Sequence, residues 1–309
     1  MKRILLSALL ILSALLLISL AIFGGRMMWA KLAIDREWRS GPIQNFKLET
    51  TSKLEIIPLY EAVSTSDKFI SGHGVSYLIR TDSATILMDL GNNLAHMALP
   101  PFAQNMDALG ISAQEIDTIV ISHPHPDHMG GMTAWKEKTL AFGEASSAFA
   151  NIPIYVPSSS LLNKTLGAVV SIVPVKLSPD VATIGVISYP EVFELALYEP
   201  KGVEQALVVN VAGEGLVLIT GCGHPGLKRL FIRVESLYNI PVVGVVGGLH
   251  YGDAKAADIQ AQIQFLQSYQ PKWVALSSHD SGPLVLNAFQ SAFGNRYHTL
   301  RVGDVLQFP

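Results

Sequence analysis

After residue 52 the chain alternates short apolar runs with longer amphipathic stretches, which is the rhythm of an α/β domain. Short apolar runs bounded by turn residues predict buried strands, and apolar residues spaced three and four apart predict helices. The predicted strands are Leu54–Tyr60, Val75–Arg80, Ala84–Asp89, Ile116–Ser122, Ile152–Val156, Val181–Ser188, Val192–Tyr198, Ala206–Val211, Gly215–Thr220, Val242–Val246, Trp273–Ser277 and Val305–Phe308. The predicted helices are Ala95–Leu109, Met129–Lys138, Leu227–Tyr238, Asp258–Tyr269 and Pro283–Phe293. Strands cluster before helices in each half, which favours two mixed β-sheets packed together with helices outside.

The amino terminus has a different pattern, an uncharged apolar run from Ile4 to Gly25. At a rise of 1.5 Å per residue this run is long enough to cross a bilayer core of about 30 Å. It exceeds the usual 7–15 apolar residues of a cleaved signal peptide, and no clear small-x-small cleavage site follows it. We therefore predict a signal anchor over residues 1–25, a juxtamembrane linker over 26–52 and a single α/β domain over 53–309. A cleaved signal and a secreted protein are the alternative.

The charges around this run bear on its orientation. Lys2 and Arg3 favour a cytoplasmic amino terminus, whereas four further basic residues follow the run on its other side. We expect a membrane-anchored protein whose catalytic domain is extracytoplasmic, that is, periplasmic. The single cysteine, Cys222, permits no disulfide framework in any compartment.

Composition narrows the range of partners. The chain has 309 residues, of which 49% are hydrophobic and 15% charged, enough for a sizeable core. Its 22 Lys and Arg nearly balance 25 Asp and Glu, and no basic run of the kind that binds a phosphate backbone is present. We therefore expect no nucleic-acid partner and a small-molecule substrate.

The densest chemistry lies in the run His123–His128 (HPHPDH), which holds three imidazoles and a carboxylate within six residues. It follows the predicted strand Ile116–Ser122 and precedes Gly130 and Gly131, so it lies on a tight loop at the carboxyl end of a strand. Open α/β sheets place their chemistry at that edge. Imidazole nitrogens and carboxylate oxygens are suitable ligands for zinc or iron.

Three later histidines stand in matching places, each just after an apolar strand. They are His224, His250 and His279. A strand followed by glycine or serine and then histidine, repeated three times, places the imidazoles along one rim of the sheets. The pattern therefore predicts a metal site built from several strand ends.

These motifs resemble those of the metallo-β-lactamase superfamily, and the likeness runs from about residue 54 to the end. It rests on the His-x-His-x-Asp-His run with its following Gly-Gly pair, and on the upstream Met88–Gly91 (MDLG). Three further runs resemble the branch of the dihydropterin-linked ribofuranosyl-aminobenzene phosphate synthases. They are His73–Ser76 (HGVS), Thr220–Gly226 (TGCGHPG) and Gly247–His250 (GGLH).

The resemblance implies an αββα sandwich and two divalent metal ions, expected to be zinc, with iron or manganese as alternatives. The ligands of the first ion would be His123, His125 and His224, and those of the second Asp127, His128 and His279. A water or hydroxide would lie between the ions.

Other residues around this ligand set receive expected roles. Asp89 is expected to accept the second N–H of a ligand imidazole, as metal-bound histidines normally require. Cys222 stands where many members of the superfamily carry a bridging aspartate, so it is either a soft ligand or a buried neighbour. His73 and His250 are expected to line the substrate pocket, and Asp127 and His250 are the expected catalytic residues.

Two departures weaken transfer of the branch's substrate. The branch usually has Tyr and Thr where this chain has Pro126 and Met129. It also usually ends with His-Cys-Thr-Gly, whereas the run here is His279–Gly282 (HDSG). Asp280 is thereby a possible extra carboxylate near the second metal.

The expected activity is that of a metal-dependent hydrolase. A paired metal site that activates water would attack an ester, lactam, lactone or phosphoester, with Asp127 orienting the nucleophile. One alternative keeps the fold and makes the protein a pterin-linked ribofuranosyl-phosphate transferase. Another makes it a membrane-tethered module that binds metal without turnover.

Overall fold

The computed structural model describes residues 2–39, 41, 46–161, 167–191, 196–252 and 254–308. Contacts divide the chain into two compact units. The smaller unit consists of Met1–Pro42 with Ser188–Gly202, and the larger consists of Ile43–Ile187 with Val203–Pro309.

The smaller unit is dominated by one long helix, α1 (Lys2–Arg39). Its first two thirds are Leu-, Ile- and Ala-rich without proline, a composition that favours an uninterrupted helix. By length and composition the part Ile4–Arg39 could cross a membrane. The helix continues 14 residues beyond Gly25, so the first part of the segment predicted as a linker is helical.

The described part of the chain contains twelve strands. In chain order they are β1 (Leu54–Tyr60), β2 (Ser76–Thr81), β3 (Thr85–Met88), β4 (Thr118–Val120), β5 (Ile154–Val156), β6 (Ala168–Val170), β7 (Val181–Pro190), β8 (Lys201–Val211), β9 (Gly215–Thr220), β10 (Val242–Gly247), β11 (Trp273–Leu276) and β12 (Leu306–Phe308). One sheet has the order β12-β1-β2-β3-β4-β5-β6, and the other β11-β10-β9-β8-β7.

Both sheets are mixed. In the seven-stranded sheet β12, β1, β2 and β3 pair antiparallel, whereas β3, β4, β5 and β6 pair parallel. In the other sheet β9, β10 and β11 are parallel, and β8 runs antiparallel to β9. Fully buried parallel strands read as continuous apolar runs, which explains sequences such as VVGVVG in β10.

A core of buried side chains joins the two sheets. It includes Ile56, Ile79 and Met88 from the first sheet and Val209, Ile219 and Val246 from the second. Each such side chain contributes about 1.5–3 kcal/mol when it is removed from water. The inter-sheet core is therefore a large source of stability, and it fixes the relative position of the strand ends.

Helices and short helical turns cover the outer faces. The other α-helices in the described residues are α2 (Pro101–Leu109), α3 (Pro126–Met129), α4 (Met132–Glu137), α5 (Ser146–Phe149), α6 (Leu227–Leu237), α7 (Ala256–Ser268) and α8 (Pro283–Phe293). A second core cluster joins α2, α4 and α5 to the seven-stranded sheet. Helix α6 buries apolar residues at three- and four-residue spacing, the pattern of an amphipathic helix on a core.

The predicted αββα sandwich is confirmed, and most predicted elements lie where expected. The helix predicted from Ala95 begins instead at Pro101, because two successive prolines occupy positions 100 and 101, and a proline disfavours helical backbone in the residue before it. Of the strand predicted over Val192–Tyr198, residues 192–195 lie outside the described part. Residues 196–198 are not extended, so the prediction is wrong there. Strand β6 was not predicted, since its three residues are partly exposed.

The inter-sheet core yields a stability prediction. Truncation of Ile79, which is fully buried, to alanine leaves a cavity and should lower the free energy of unfolding by about 2–5 kcal/mol. Ile172→Ala removes the same atoms from a side chain that is 63% exposed. This substitution should change the free energy of unfolding by less than about 0.5 kcal/mol. Chemical denaturation of the detergent-solubilised chain measures both. Equal losses would contradict the assignment of this core.

Candidate metal centre

The candidate site lies where five strands of the two sheets end. Strand β4 leads to the His123–His128 loop, β9 to Cys222 and His224, β10 to His250, and β11 to His279. Strand β3 leads to Asp89. These are the carboxyl ends of strands in mixed α/β sheets, where such folds place their functional groups.

The loop after β4 turns sharply into the short helix α3. Pro126 occupies its first turn, and Gly130 ends it with a φ of 93°. Gly74, two residues before β2, packs against the backbone of this loop at Asp127, and its φ is 127°. A Cβ at position 74 would lie 2.4 Å from the Asp127 carbonyl oxygen, so only glycine fits there.

A first group of three imidazoles converges on one point. One nitrogen from each of His123, His125 and His224 lies within 4.8 Å of the others. The Nε2 atoms of His123 and His224 are 3.2 Å apart. These are the three residues that the sequence predicted as ligands of the first ion, and the structure brings them together.

A second group adjoins the first and consists of Asp127, His128 and His279. Asp127 Oδ2 lies 3.7 Å from His128 Nε2 and 4.0 Å from His279 Nε2. His128 and His279 are buried, and Asp127 is largely so. The structure thus also brings together the second predicted ligand set.

Cys222 lies between the donors of the two groups. Its Sγ is 3.1 Å from His128 Nε2 and 3.1 Å from His279 Nε2. It also forms a possible ligand group with His123 and His128, and another with His279 and Asp280. The thiol is therefore a member of the donor cluster.

Asp89 orients the loop from behind. Its backbone is left-handed, with a φ of 62°, and its carboxylate is fully buried. One oxygen accepts the Ser122 backbone N–H at 2.7 Å. The other accepts the Ser122 hydroxyl at 2.6 Å and lies 2.7 Å from His128 Nδ1. The His128 contact leaves Nε2 directed at the cluster, which is the arrangement expected of a ligand imidazole.

Sequence reasoning missed Glu204, a buried carboxylate that shapes the loop after β9. Its two oxygens accept the backbone N–H groups of Cys222 at 3.1 Å, Gly223 at 2.8 Å and His224 at 2.7 Å. Unpaired buried N–H groups would be costly, so this carboxylate stabilises the loop conformation. The available signal was an acidic residue two positions before the predicted strand Ala206–Val211.

Glu61 was also missed, and it holds the last ligand in place. Its buried carboxylate accepts the Ser277 hydroxyl at 2.5 Å and the His279 backbone N–H at 3.1 Å. The Ser277 Oγ lies 2.5 Å from His279 Nδ1, so Nε2 of that ring faces the cluster. The Tyr77 hydroxyl donates to the same carboxylate at 3.0 Å. Its position directly after β1 was the only hint in the sequence.

Burial and neighbouring imidazoles favour the neutral form of three of the imidazoles, which is the form that binds metal. Burial lowers the pKa of His123, His224 and His279 below its ordinary value, and neighbouring imidazoles lower it further. A neutral imidazole carries the free lone pair that a metal requires.

His128 and Asp127 form the charged part of the cluster. Burial lowers the pKa of His128, but the carboxylates of Asp89 and Asp127 outweigh it and raise that pKa to about 9. Burial raises the pKa of Asp127, but the nearby imidazoles of His128 and His279 bring it below its ordinary value. Asp127 is therefore ionised at neutral pH.

The other acidic groups around the cluster are shifted upward. Burial raises the pKa of Glu204 to about 7, against the opposing effect of its backbone N–H donors. Burial and the nearby Asp280 raise the pKa of the Cys222 thiol well above its usual range. Burial also raises the pKa of Asp280 well above its ordinary value. These groups therefore favour their protonated forms, and a nearby cation would stabilise their ionised forms and lower their pKa again.

The two histidines predicted to line the pocket lie beside the cluster. His73 is 63% exposed, and its Nε2 is 3.3 Å from Asp127 Oδ2. The His250 ring centroid is 4.3 Å from that of His224. His250 has a φ of 53°, and its backbone N–H donates to Asp280 Oδ2 at 2.8 Å. Asp280 therefore supports the His250 backbone as well as lying near Cys222.

The donor set fits divalent transition metals. Imidazole nitrogens, one carboxylate and one sulfur are ligands that zinc accepts, and iron or manganese accept the nitrogen and oxygen donors. The fit rests on the convergence of ring nitrogens that have no other direction to face, since Asp89 and Ser277 occupy the opposite nitrogens of His128 and His279.

Comparison with known proteins shows a family match and a similar protein of related length. The family model of the metallo-beta-lactamase superfamily matches residues 71–242, more than half of the chain. The 7,8-dihydropterin-6-methyl-4-(beta-D-ribofuranosyl)-aminobenzene-5'-phosphate synthase of Methanocaldococcus jannaschii is 28% identical over 299 residues. That match covers 87% of this chain and 98% of the relative.

Solved structures share the fold. A metal-dependent hydrolase of the beta-lactamase superfamily superposes with a TM-score of 0.60 at 20% identity, covering 82% of this chain and 98% of that one. The metallo-beta-lactamase fold protein YhfI from Bacillus subtilis gives 0.53 at 12% identity, covering 83% and 100%. At these identities the likeness concerns the fold alone.

The Asp89 contact generates a testable prediction. Asp89→Asn should weaken metal binding by about 10–100-fold, because the amide no longer fixes the His128 ring as a carboxylate does. Asp117→Asn is the matched control, since that exposed carboxylate accepts the Thr85 N–H at the opposite end of β4. Competition with a chelator measures the affinity. Parent affinity in Asp89→Asn would show that the contact does not orient a ligand.

Proposed function

This chain belongs to the metallo-beta-lactamase superfamily, and we propose that within it the protein is a metal-dependent hydrolase of a small-molecule ester, lactam, lactone or phosphoester. The observation that carries the proposal is the meeting of two ligand groups, His123, His125 and His224 with Asp127, His128 and His279. A cluster of imidazole and carboxylate groups that face one another in this way is typical of hydrolytic metal centres.

We assign the two groups to two divalent ions, with zinc as the first candidate and iron or manganese as alternatives. When bound, such ions act as Lewis acids and lower the pKa of water towards about 7. Cys222 contacts His128 and His279 of the second group and lies near His123 of the first, so its sulfur is a candidate soft donor. The residues around the two groups then bind the substrate and transfer protons.

Asp127 and His73 provide a path for the proton. Asp127 is ionised, so its Oδ2 can orient the attacking water and accept a proton from it. His73 Nε2 lies 3.3 Å from that oxygen, and its ring is 63% exposed, so it can carry the proton to solvent. The pair therefore links the reaction centre with bulk water.

His250 is placed to act on the substrate. Its ring lies beside His224 at the edge of the first group, and its side chain is exposed. An imidazole there can donate a hydrogen bond to substrate or protonate a leaving group. We assign His250 to substrate binding and catalysis on this ground.

A pterin-linked synthase is the second candidate. The observation in its favour is the 28% identity to the dihydropterin synthase along nearly the whole of that relative. Such an enzyme would bind the phosphate of a ribosyl donor, and Lys228, near the start of α6, and His250 are candidates for that contact. The departures at Pro126, Met129 and Asp280 weigh against an identical substrate.

The cellular setting we propose is membrane attachment through α1, with the metal centre on the extracytoplasmic side. The supporting observation is a helix of sufficient length and apolarity, Ile4–Arg39, at the amino terminus. A cleaved signal and a secreted protein are the alternative, and the mass of the mature chain in a membrane fraction distinguishes the two.

Metal content and hydrolysis together test the proposal. The purified full chain should bind about two divalent ions, and His123→Ala/His128→Ala should lose both metal and activity. The loss should exceed the 10–100-fold that removal of an outer partner costs. His298→Ala, outside both groups, is the control and should keep parent values.

Substrate assays then separate the candidates. Esters, lactams, lactones and phosphodiesters test hydrolysis, and a labelled phosphoribosyl donor with a dihydropterin tests the synthase. Turnover by the double variant at the parent rate would contradict the mechanism. A parent that binds no metal when purified anaerobically with zinc, iron and manganese would instead support a role without catalysis.

A further inference from the structure

Helix α1 changes character at Arg26. The 22 residues from Ile4 to Gly25 carry no charge, and Arg26 is the first charged side chain after them. At 1.5 Å per residue the uncharged part is about 33 Å long, close to the thickness of a bilayer core. In a membrane-anchored chain Arg26 therefore marks the level at which the helix leaves the hydrocarbon.

A turn from the middle of the chain lies at this level. The Arg26 guanidinium donates to the Leu197 carbonyl at 3.2 Å and to the Tyr198 carbonyl at 2.8 Å. The turn and the helix belong to the same compact unit. These two bonds go to backbone oxygens and do not involve the side chains of Leu197 and Tyr198.

A second contact fixes the direction of the segment that carries the turn. Glu37 accepts hydrogen bonds from the Ser188 hydroxyl at 2.5 Å and from Lys201 Nζ at 2.7 Å. Glu37 is 11 residues beyond Arg26, about 16 Å further along the helix. Ser188 and Lys201 therefore contact α1 at Glu37, whereas Leu197 and Tyr198 contact it at Arg26, nearer the apolar part.

The side chains at the turn suit a lipid interface. Leu197 is 51% exposed and Tyr198 73% exposed, while Ala196 beside them is buried. On α1 just past Arg26, Met28, Trp29 and Leu32 are each more than 60% exposed. Aromatic residues concentrate at the membrane–water boundary, where one end of the ring is apolar and the other is hydrated.

We propose that the turn at residues 196–198 is a second membrane-contacting element, which inserts Leu197 and Tyr198 into the lipid interface beside α1. This inference rests on the membrane attachment proposed for α1. The occupant is the headgroup and upper acyl region of the bilayer leaflet that α1 leaves at Arg26. The two Arg26 hydrogen bonds hold the turn at that depth.

Depth-dependent quenching of a fluorescent probe tests the proposal. The full chain is reconstituted into phosphatidylcholine nanodiscs that contain doxyl-labelled lipid, and single cysteines carry an environment-sensitive probe. The test variants are Leu197→Cys and Tyr198→Cys. Leu20→Cys within the apolar run and Arg39→Cys at the end of α1 calibrate depth on the same helix. The unmodified chain, whose Cys222 is buried, gives the background of labelling.

We expect probes at 197 and 198 to be quenched several-fold more than the probe at 39, and to approach the probe at 20. Quenching at 20 combined with values at 197 and 198 equal to that at 39 would overturn the inference while leaving the anchor intact. Weak quenching at 20 would show that α1 does not enter the bilayer, and would overturn both. Hydrolysis is measured independently, so neither result bears on the metal centre.

Discussion

The structure of the site depends on buried carboxylates that accept hydrogen bonds from behind the ligands. A metal centre needs lone pairs directed at one point. Apolar side chains offer no hydrogen bonds, so packing in an apolar core alone does not orient the ligand rings. Asp89 satisfies Ser122 and His128 together, and so couples the end of β3 to the loop after β4. Glu204 and Glu61 do the same for the ends of β9 and β11. Each strand that delivers these ligands is thus matched by one buried acid.

These buried hydrogen bonds explain how the cluster can hold several imidazole nitrogens close to one another. Ring nitrogens of like polarity face one another at 3.2 Å, an arrangement that would relax if the rings could rotate. Hydrogen bonds to the Nδ1 atoms of His123, His128 and His279 restrict the rotation of these three rings. The inter-sheet core prevents the strand ends from separating. Stability elsewhere in the domain therefore supports a locally unfavourable arrangement, as is common at functional sites.

Much of the architecture and the convergence of the histidines could be predicted from the sequence, because both follow local rules. The assignment of ligands to two ions rests instead on the resemblance to the superfamily. Apolar runs gave the strands, and a histidine directly after a strand lies at the rim by geometry. Glu61 could not be predicted, since Ser277 and His279 are more than 200 residues away and meet it only after the two sheets pack. Glu204 could not be predicted either, since its partners are about 20 residues away and meet it only when β8 and β9 pair in the observed register. The position of Cys222 midway between His128 and His279 is likewise a product of packing.

Gly74 carries an evolutionary consequence. The space that a side chain would need there is filled by the Asp127 carbonyl, and the φ of 127° is one that residues with a side chain rarely adopt. Position 74 is therefore restricted both by the ligand loop and by its own backbone. In descendants of this chain, loss of the ligand loop alone would not free position 74, and replacement of that glycine would mark a lineage in which both segments had been rebuilt, even where individual histidines survive by chance.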